Sequence, residues 1–366
     1  MSNTLHRIMQ GDSQSIPLVG DESVSLVVTS PPYPMIEMWD DLFATRNQRI
    51  RSALDDYAGM EAFSLMHEEL DSVWSEMARV LCPGGWACVN IGDATRKVGD
   101  RFQLYSNHSR IISKFMSLCF DILPLVLWRK QTNAPNKFMG SGMLPAGAYV
   151  TLEHEYILMM RKGSKRDFKS SEEKLLRQES AYFWEERNRW FSDIWDFKGT
   201  RQSLYDPELR NRSAAFPFEL PYRLICMYSV RGDTVLDPFL GTGTTCFAAI
   251  AAGRSSIGVD VDPSFIAAVG KECPRFKKQA NQYALDRLAD HNDFVEKYQI
   301  DDKKLGYANV PHGVPVMTAQ EVNLRIELIE NIKATEECVF EVAYRPIGLD
   351  LAAERAELES QLTFAM

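Results

Sequence analysis

The stretch Thr234-Val-Leu-Asp-Pro-Phe-Leu-Gly-Thr-Gly-Thr-Thr245 gives the strongest indication of the fold. Its Val-Leu pair is suited to the end of a buried strand, and Gly241 and Gly243 allow a tight turn into an apolar helix. Further on, Ser256-Ile-Gly-Val-Asp260 has the pattern of a second strand that ends in a carboxylate. This order of elements predicts a Rossmann-like α/β fold.

The two strand-end carboxylates indicate which kind of ligand this turn accepts. Asp260 lies 19 residues after Gly241, close to the spacing of about 20 at which an acidic residue binds ribose hydroxyls. Cys246 replaces the third glycine of a dinucleotide fingerprint, and Asp237 would repel a phosphate. The pattern therefore favours a nucleoside with a cationic group, such as S-adenosylmethionine.

A second motif, Thr29-Ser-Pro-Pro-Tyr33, lies far upstream and directly follows the strand-like run Ser25–Val28. Its two prolines restrict φ and remove two backbone donors, so the carbonyls there accept hydrogen bonds without neighbouring N–H groups. A planar group with an exocyclic amine would donate to these acceptors and to the Ser30 hydroxyl, and would stack on Tyr33. A rigid turn with an ordinary surface tyrosine is the alternative interpretation.

Together the two motifs resemble those of the permuted beta class of DNA amino-methyltransferases, and the cytosine-N4 branch most. In that class the Ser-Pro-Pro-Tyr element is catalytic, and the Asp-Pro-Phe-x-Gly-x-Gly element binds the cofactor and comes later in the chain. The resemblance covers roughly residues 5–270. It implies an S-adenosylmethionine-dependent methyltransferase fold with a mostly parallel sheet, a circularly permuted motif order, an inserted target-recognition region and a helical C-terminal extension.

The resemblance also implies the site residues. Asp12 matches the acid that contacts the cofactor adenine, and Phe216-Pro217 matches the element that closes over the methionine end. The catalytic set is Ser30, Pro31, Pro32 and Tyr33. The cofactor-binding set is Asp12, Phe216, Pro217, Asp237, Phe239, Gly241, Gly243, Thr244 and Asp260.

The chemistry of methyl transfer to an aromatic amine is consistent with these assignments. The amine lone pair is delocalised into the ring, and hydrogen bonds from its N–H groups to the Ser30 hydroxyl and the Pro31 carbonyl would release it. The target atom lies inside a duplex, so the base must be flipped out, and Tyr33 is expected to stack on it. The reaction requires no metal, and the sequence contains no evident ligand cluster for one.

Alternative functions differ in what they require of these motifs. Serine at position 30 favours cytosine N4, whereas adenine-N6 enzymes of the class more often have Asp or Asn there, so adenine N6 stays open. Cytosine carbon-5 methylation is disfavoured because the chain has no Pro-Cys pair. A nicotinamide-dependent Rossmann oxidoreductase is a distant alternative, because it gives Ser-Pro-Pro-Tyr no role.

Charge is distributed unevenly along the chain, whose net charge is −9. Residues 96–215 contain 21 Lys and Arg against 14 Asp and Glu, so a DNA-facing basic patch is possible on an acidic protein. The candidates for contacts with double-stranded DNA are Arg96, Lys97, Arg129, Lys130 and Lys137. A solvated basic face is the alternative. Aromatics interleaved with arginines in 164–212 indicate either nucleic-acid contact or a small satellite core.

Composition and segmentation give the outer limits. No apolar run reaches the length of a membrane span, and the N-terminus has no secretory h-region, so we expect a cytoplasmic protein with reduced cysteines. A cognate restriction endonuclease is the expected functional partner.

The polar segment 37–56 is predicted to be a loop, and Thr318-x-x-Glu321 is predicted to begin a helix around Leu324, Leu328 and Ile332. The predicted units are 1–130 (catalytic half), 131–212 (strand pair and target recognition), 213–275 (cofactor half) and 276–366 (mainly helical extension).

Overall fold

The computed structural model describes residues 3–130, 141–198, 216–300 and 305–363. The strands are β1 Thr4–Gln10, β2 Val24–Thr29, β3 Leu81–Ile91, β4 Ala94–Val98, β5 Arg101–Tyr105, β6 Phe120–Arg129, β7 His154–Lys162, β8 Ile194–Asp196, β9 Thr234–Asp237, β10 Ser255–Asp260, β11 Tyr307–Ala308, β12 Pro315–Val316, β13 Glu327–Glu336 and β14 Val339–Pro346. The α-helices are α1 Asp40–Arg46, α2 Gln48–Asp55, α3 Gly59–Val80, α4 Asn107–Ser117, α5 Ser171–Glu179, α6 Trp184–Trp190, α7 Glu219–Tyr228, α8 Thr244–Ala252, α9 Pro263–Glu272, α10 Lys277–Ile300 and α11 Leu351–Thr363.

Ten of these strands form one sheet in the order β13-β14-β1-β10-β9-β2-β3-β7-β6-β8. The five central strands, β1-β10-β9-β2-β3, are mutually parallel, while β7 and β14 join them antiparallel at either side. The predicted α/β fold with a mostly parallel sheet is confirmed. Because parallel strands end at the same edge, residues that follow β1, β2, β9 and β10 are brought together there.

Both faces of the sheet are covered by helices, which explains why β2 is apolar along nearly its whole length. Val24 and Val27 pack into a core with α3 and α4, whereas Leu26 and Val28 pack into a second core with α7 and α8. Val27 and Val28 thus take opposite faces because successive strand side chains alternate.

Two segment predictions are wrong. The polar segment 37–56 is helical, forming a 3₁₀ turn at Glu37–Trp39 followed by α1 and α2, and it buries Phe43 and Ile50 in the core with α3. The Thr318–Glu321 capping box is present but begins only a 3₁₀ turn at Ala319–Glu321, and Leu328 and Ile332 belong to strand β13. The C-terminal extension therefore adds two strands to the main sheet as well as helices.

Three of the aromatics in 164–212 are core residues: Trp190 and Trp195 pack into the core with α7 and α8, and Phe183 packs into a separate cluster with α10. Trp190 and Trp195 are 1% exposed and Phe183 is fully buried, so these three stabilise the fold. The cysteines carry free thiols and four of them are buried. Within the described ranges, no helix is long and apolar enough to cross a bilayer.

Candidate active site

A cavity of about 480 Å³ lies at the carboxyl edge of the central strands. Strands β2 and β9 are direct neighbours, with Val27 opposite Leu236, so both sequence motifs open into this one cavity. The predicted site residues that line it are Asp12, Ser30, Pro31, Pro32, Phe216, Asp237, Phe239, Gly241, Thr244 and Asp260. Tyr33, Pro217 and Gly243 lie beside it and do not line it.

The glycine turn after β9 has the backbone conformation that its sequence indicates. Gly241 has φ 48° and Gly243 has φ 78°, both in the left-handed region that disfavours other residues. A Cβ at Gly243 would also lie 2.8 Å from both methyl groups of Val269. The turn therefore leads directly into α8, and the turn backbone at Gly241 lines the cavity.

Asp260 lines the cavity and accepts hydrogen bonds from two backbone amides. One carboxylate oxygen accepts from the Gly241 amide at 2.9 Å, and the other accepts from the Asp262 amide at 2.9 Å. Burial raises the pKa of Asp260, against the lowering effect of these amides. Each carboxylate oxygen retains acceptor capacity, so hydroxyl groups in the cavity have a partner.

Asp237 is the most strongly desolvated carboxylate of the site, at 3% exposure. Its Oδ1 accepts from the Thr29 hydroxyl at 2.7 Å and from the Phe239 amide at 3.1 Å. Burial raises the pKa of Asp237 to about 6 despite these hydrogen bonds. Burial disfavours the charged form of the Asp237 carboxylate, and a cationic ligand beside it would stabilise that charged form.

Asp12 lies at the mouth of the cavity and is half-exposed. Its Oδ2 accepts from Arg46 of α1 at 2.6 Å, and its Oδ1 accepts from the Gln14 amide at 3.0 Å. The neighbouring Ser13 hydroxyl donates to the carbonyl of Pro238, which ties the loop after β1 to the loop after β9.

Ser30 begins a chain of hydrogen bonds that leads away from the cavity. Its hydroxyl donates to the Tyr33 hydroxyl at 3.0 Å, which in turn donates to Glu155 Oε2 at 2.9 Å. Asn90 donates to both Tyr33 and Glu155, at 2.8 and 2.6 Å, and Lys130 forms an ion pair with Glu155. Burial and the Glu155 charge raise the pKa of Tyr33 well above its ordinary value, so it stays a neutral donor.

Sequence reasoning missed Glu155 and Asn90 as part of this network. Glu155 is 8% exposed and Asn90 is 2% exposed, although both lie in strands with apolar neighbours. A polar residue inside an apolar strand pattern was the available signal. The cavity wall formed by the 37–56 segment and α3 was also missed, and it contains Trp39, Phe43, Glu69, Leu70 and Val73.

The predicted DNA-contacting cations differ in their availability. Arg96 is the least available of them, because its guanidinium binds both oxygens of Asp40 at 2.8 and 2.7 Å and its side chain is only 14% exposed. Lys130 is committed to Glu155, and Arg129 lies 3.6 Å from Glu153 while remaining 60% exposed. Lys97 is exposed on β4, and Lys137 lies outside the described residues.

Residues 24–271 match the model of the N6_N4_Mtase family, described as DNA methylase. The chain belongs to this family of DNA methylases. The matched range includes both motifs that line the cavity. Asp12, which also lines the cavity, precedes the matched range. It confirms the predicted DNA amino-methyltransferase family, and the oxidoreductase alternative is wrong.

Individual relatives support the same assignment across most of this methylase. It is 49% identical over 347 residues to the type II methyltransferase M.MthZI of Methanothermobacter thermautotrophicus, covering 94% of this chain and 96% of the relative. It is 52% identical over 272 residues to the type II methyltransferase M.MjaI of Methanocaldococcus jannaschii, covering 71% and 88%.

A solved structure resembles the methylase in three dimensions. TTHA0409 of Thermus thermophilus, which carries a provisional assignment as a DNA modification methylase, was solved in complex with S-adenosyl-L-methionine. It is 32% identical, with a TM-score of 0.56, and the similarity covers 75% of this chain and 96% of that one.

Proposed function

We propose that this chain transfers a methyl group from S-adenosylmethionine to the exocyclic N4 amine of a flipped cytosine in duplex DNA. The observation that carries the proposal is that Ser30 and Pro31 line the same cavity as Asp237, Gly241 and Asp260. An amine-accepting corner and a nucleoside-binding turn thus open into one space, which a direct transfer requires.

The cavity has properties that fit the methyl donor. Its volume of about 480 Å³ lies in the range of small-molecule sites, roughly 300–1,000 Å³. Asp237 and Asp260 supply negative charge for a sulfonium and ammonium group and acceptors for ribose hydroxyls. S-adenosylmethionine supplies the methyl group as an electrophilic carbon bound to a positively charged sulfur. The carboxylates near the turn make a cation a better ligand than a pyrophosphate.

Ser30 is arranged to accept a hydrogen bond from a substrate amine. A hydroxyl has one proton and two acceptor positions, and the Ser30 proton is directed to Tyr33. Its remaining lone pairs, with the Pro31 carbonyl, accept the two N–H groups of the target amine. The amine nitrogen then forms the new bond to the methyl carbon while the carbon–sulfur bond breaks toward sulfur, and the excess proton leaves to water.

A type II restriction-modification role follows from the names of M.MthZI and M.MjaI and belongs to this proposal. Its functional partner would be an endonuclease that cleaves the same unmodified sequence. Double-stranded DNA is the proposed substrate, with exposed cations such as Lys97 and Arg129 as phosphate contacts. Flipping the cytosine brings its amine to Ser30.

The test is methylation of plasmid DNA with the purified chain and S-adenosylmethionine, followed by mass spectrometry of the nucleosides. We expect N4-methylcytosine as the product. N6-methyladenine would retain the methyltransferase assignment and overturn the cytosine specificity. If neither nucleoside formed in any DNA tested, with cofactor binding verified by calorimetry, the proposal would be wrong.

A further inference from the structure

A second and larger cavity, of about 1230 Å³, lies at the opposite edge of the sheet. Ser25 at the start of β2 lines it, whereas Ser30 just after the end of β2 lines the active-site cavity. Five residues of extended chain separate the two, a distance of about 16 Å. Among the described residues, none lines both cavities. We call the second cavity the amino-edge cleft.

The amino-edge cleft carries a strong excess of positive charge on a protein whose net charge is −9. Its cationic lining residues are Arg161, Lys165, Arg166, Lys174, Arg177 and Arg187. Its two carboxylates are Asp167 and Glu321, and Glu321 is buried and accepts from the Trp184 and Thr318 amides.

Four of the six cations are available to a ligand. Arg161 pairs with Asp121, and Arg166 pairs with Asp233. The remaining cations make no ion pair with any carboxylate in the part of the chain that the structure describes, and all of them are exposed: Lys165, Lys174, Arg177 and Arg187. A cleft in which most cations lack a partner attracts polyanions.

Aromatic rings alternate with these cations. The Phe168 ring contacts both Arg166 and Arg177, whose guanidinium carbons lie 4.9 and 5.0 Å from its centroid. Arg187 lies 5.6 Å from the Phe191 ring, and Phe191 and Trp184 are 39% and 38% exposed. The aromatic lining residues are Trp86, Phe168, Tyr182, Trp184, Phe191 and Tyr228. Ring faces beside cations are the arrangement that holds bases and phosphates of a flexible strand.

We propose that the amino-edge cleft binds a single-stranded nucleic acid segment, separately from the duplex that is methylated. Its volume exceeds the roughly 300–1,000 Å³ of usual small-molecule pockets, so several nucleotides fit better than one. A duplex hides its base faces in the stack and offers sugar, phosphate and base edges, which leaves the aromatic rings no base to stack on. A purely anionic peptide would likewise use the cations alone.

The first experiment measures binding of a fluorescein-labelled twelve-nucleotide oligothymidylate to the full chain by anisotropy. Excess unlabelled plasmid duplex is present to occupy the surface that presents DNA to Ser30. The variant is Lys174→Gln/Arg177→Gln/Arg187→Gln. Its matched control is Lys271→Gln/Lys278→Gln/Lys297→Gln, which makes the same charge change at exposed residues that line neither cavity.

We expect the cleft variant to bind the probe at least tenfold more weakly and the control variant to bind as the unmodified chain does. The log–log salt slope should fall by about 2, since each lost phosphate contact on a single strand removes about 0.7. S-adenosylmethionine binding by the cleft variant, measured by calorimetry, should be unchanged, because none of the three residues lines the active-site cavity, and this result also verifies that the variant folds. Equal probe binding by the cleft variant and the unmodified chain would overturn the proposal.

A second experiment tests the aromatic part of the cleft. Trp184→Leu, at a half-exposed ring, should weaken probe binding about fivefold or more, because base stacking contributes about 1–3 kcal/mol per base. Full displacement of the probe by the plasmid duplex, or no effect of Trp184→Leu, would reduce the cleft to a non-selective anion surface and contradict the proposal.

Discussion

The hydroxyl of Ser30 donates a 3.0 Å hydrogen bond to the hydroxyl of Tyr33, and this bond determines how Ser30 can act. Because its single proton is committed to Tyr33, Ser30 presents lone pairs to the cavity. The Tyr33 hydroxyl in turn accepts from Ser30 and Asn90 and donates to Glu155. These three bonds use the full hydrogen-bonding capacity of the Tyr33 hydroxyl. Glu155 is therefore the terminal acceptor that gives the chain its direction.

Ser30→Ala removes the proposed acceptor of the substrate amine without altering the carboxylates that face the cofactor. We expect kcat to fall about 100-fold, comparable to loss of one preorganised polar partner of a transition state. The affinity for S-adenosylmethionine, measured by calorimetry, should stay the same. Ser109→Ala, at an exposed serine of α4, is the control. Full activity of Ser30→Ala would remove Ser30 from the mechanism.

Tyr33→Phe separates two roles of the tyrosine. The variant keeps the ring that would stack on a flipped base and loses the hydroxyl that orients Ser30. We expect kcat to fall about tenfold, the effect of about 1.4 kcal/mol, with little change in KM for DNA. Glu155→Gln, which can also donate, should lower kcat in the same way. If Tyr33→Phe were as active as the unmodified chain, stacking alone would account for the residue.

Cofactor affinity should depend on pH through Asp237, whose pKa burial raises to about 6. Below that pH the carboxyl is protonated and neutral, so affinity for the cation should fall up to tenfold per pH unit. Calorimetry between pH 5 and 8 measures this. The Asp237→Asn variant should bind the cofactor weakly over this whole pH range. The change in affinity near pH 6 should be absent, and any pH dependence that stays would come from Asp260.

The same residue should limit the stability of the free protein. Its folded pKa lies above the ordinary 3.8, so stability is lost as pH rises from about 4 to about 6 and stays lower beyond. A rise of the Asp237 pKa from 3.8 to about 6 corresponds to about 3 kcal/mol of folding free energy. Asp237→Asn should therefore raise the Tm of the free protein at pH 7.5 by a few degrees. A lower Tm would show that the Thr29 and Phe239 hydrogen bonds outweigh the burial of charge.

Gly243→Ala tests the turn after β9. A left-handed φ of 78° costs an alanine about 1–2 kcal/mol, and its Cβ would meet Val269 at 2.8 Å. We expect lower stability in urea and weaker cofactor binding. Combining it with Val269→Ala should restore part of the loss, because the steric contact is removed and the backbone strain stays. Additive losses in the double variant would contradict this account.

The sequence was sufficient to predict the parts of the site that follow strands. Val235-Leu236 and Ser25–Val28 identified two strands by composition, and their polar successors lie at one sheet edge because parallel strands end together. The partners of those residues were harder to predict. Glu155 joins Tyr33 across 122 positions, and no local pattern encodes that contact.

The errors have physical causes as well. The segment 37–56 is rich in charge, and its helices are stabilised by burying Phe43 and Ile50 against α3, a tertiary effect that composition does not reveal. Leu324, Leu328 and Ile332 are spaced by four, and an even spacing fits one face of a strand as well as a helix. The strand formed because β13 pairs with β14.

The pairing of β14 with β1 makes the C-terminal extension part of the main sheet. β14 pairs antiparallel with β1, placing Val342 opposite Thr4, and the Tyr344 hydroxyl bonds both Thr4 and the Ile250 carbonyl. A chain shortened at residue 276 would leave β1, which positions Asp12, as an open sheet edge with unpaired backbone groups, prone to self-association. The last quarter of the sequence is thus an integral part of the folding unit that supports catalysis.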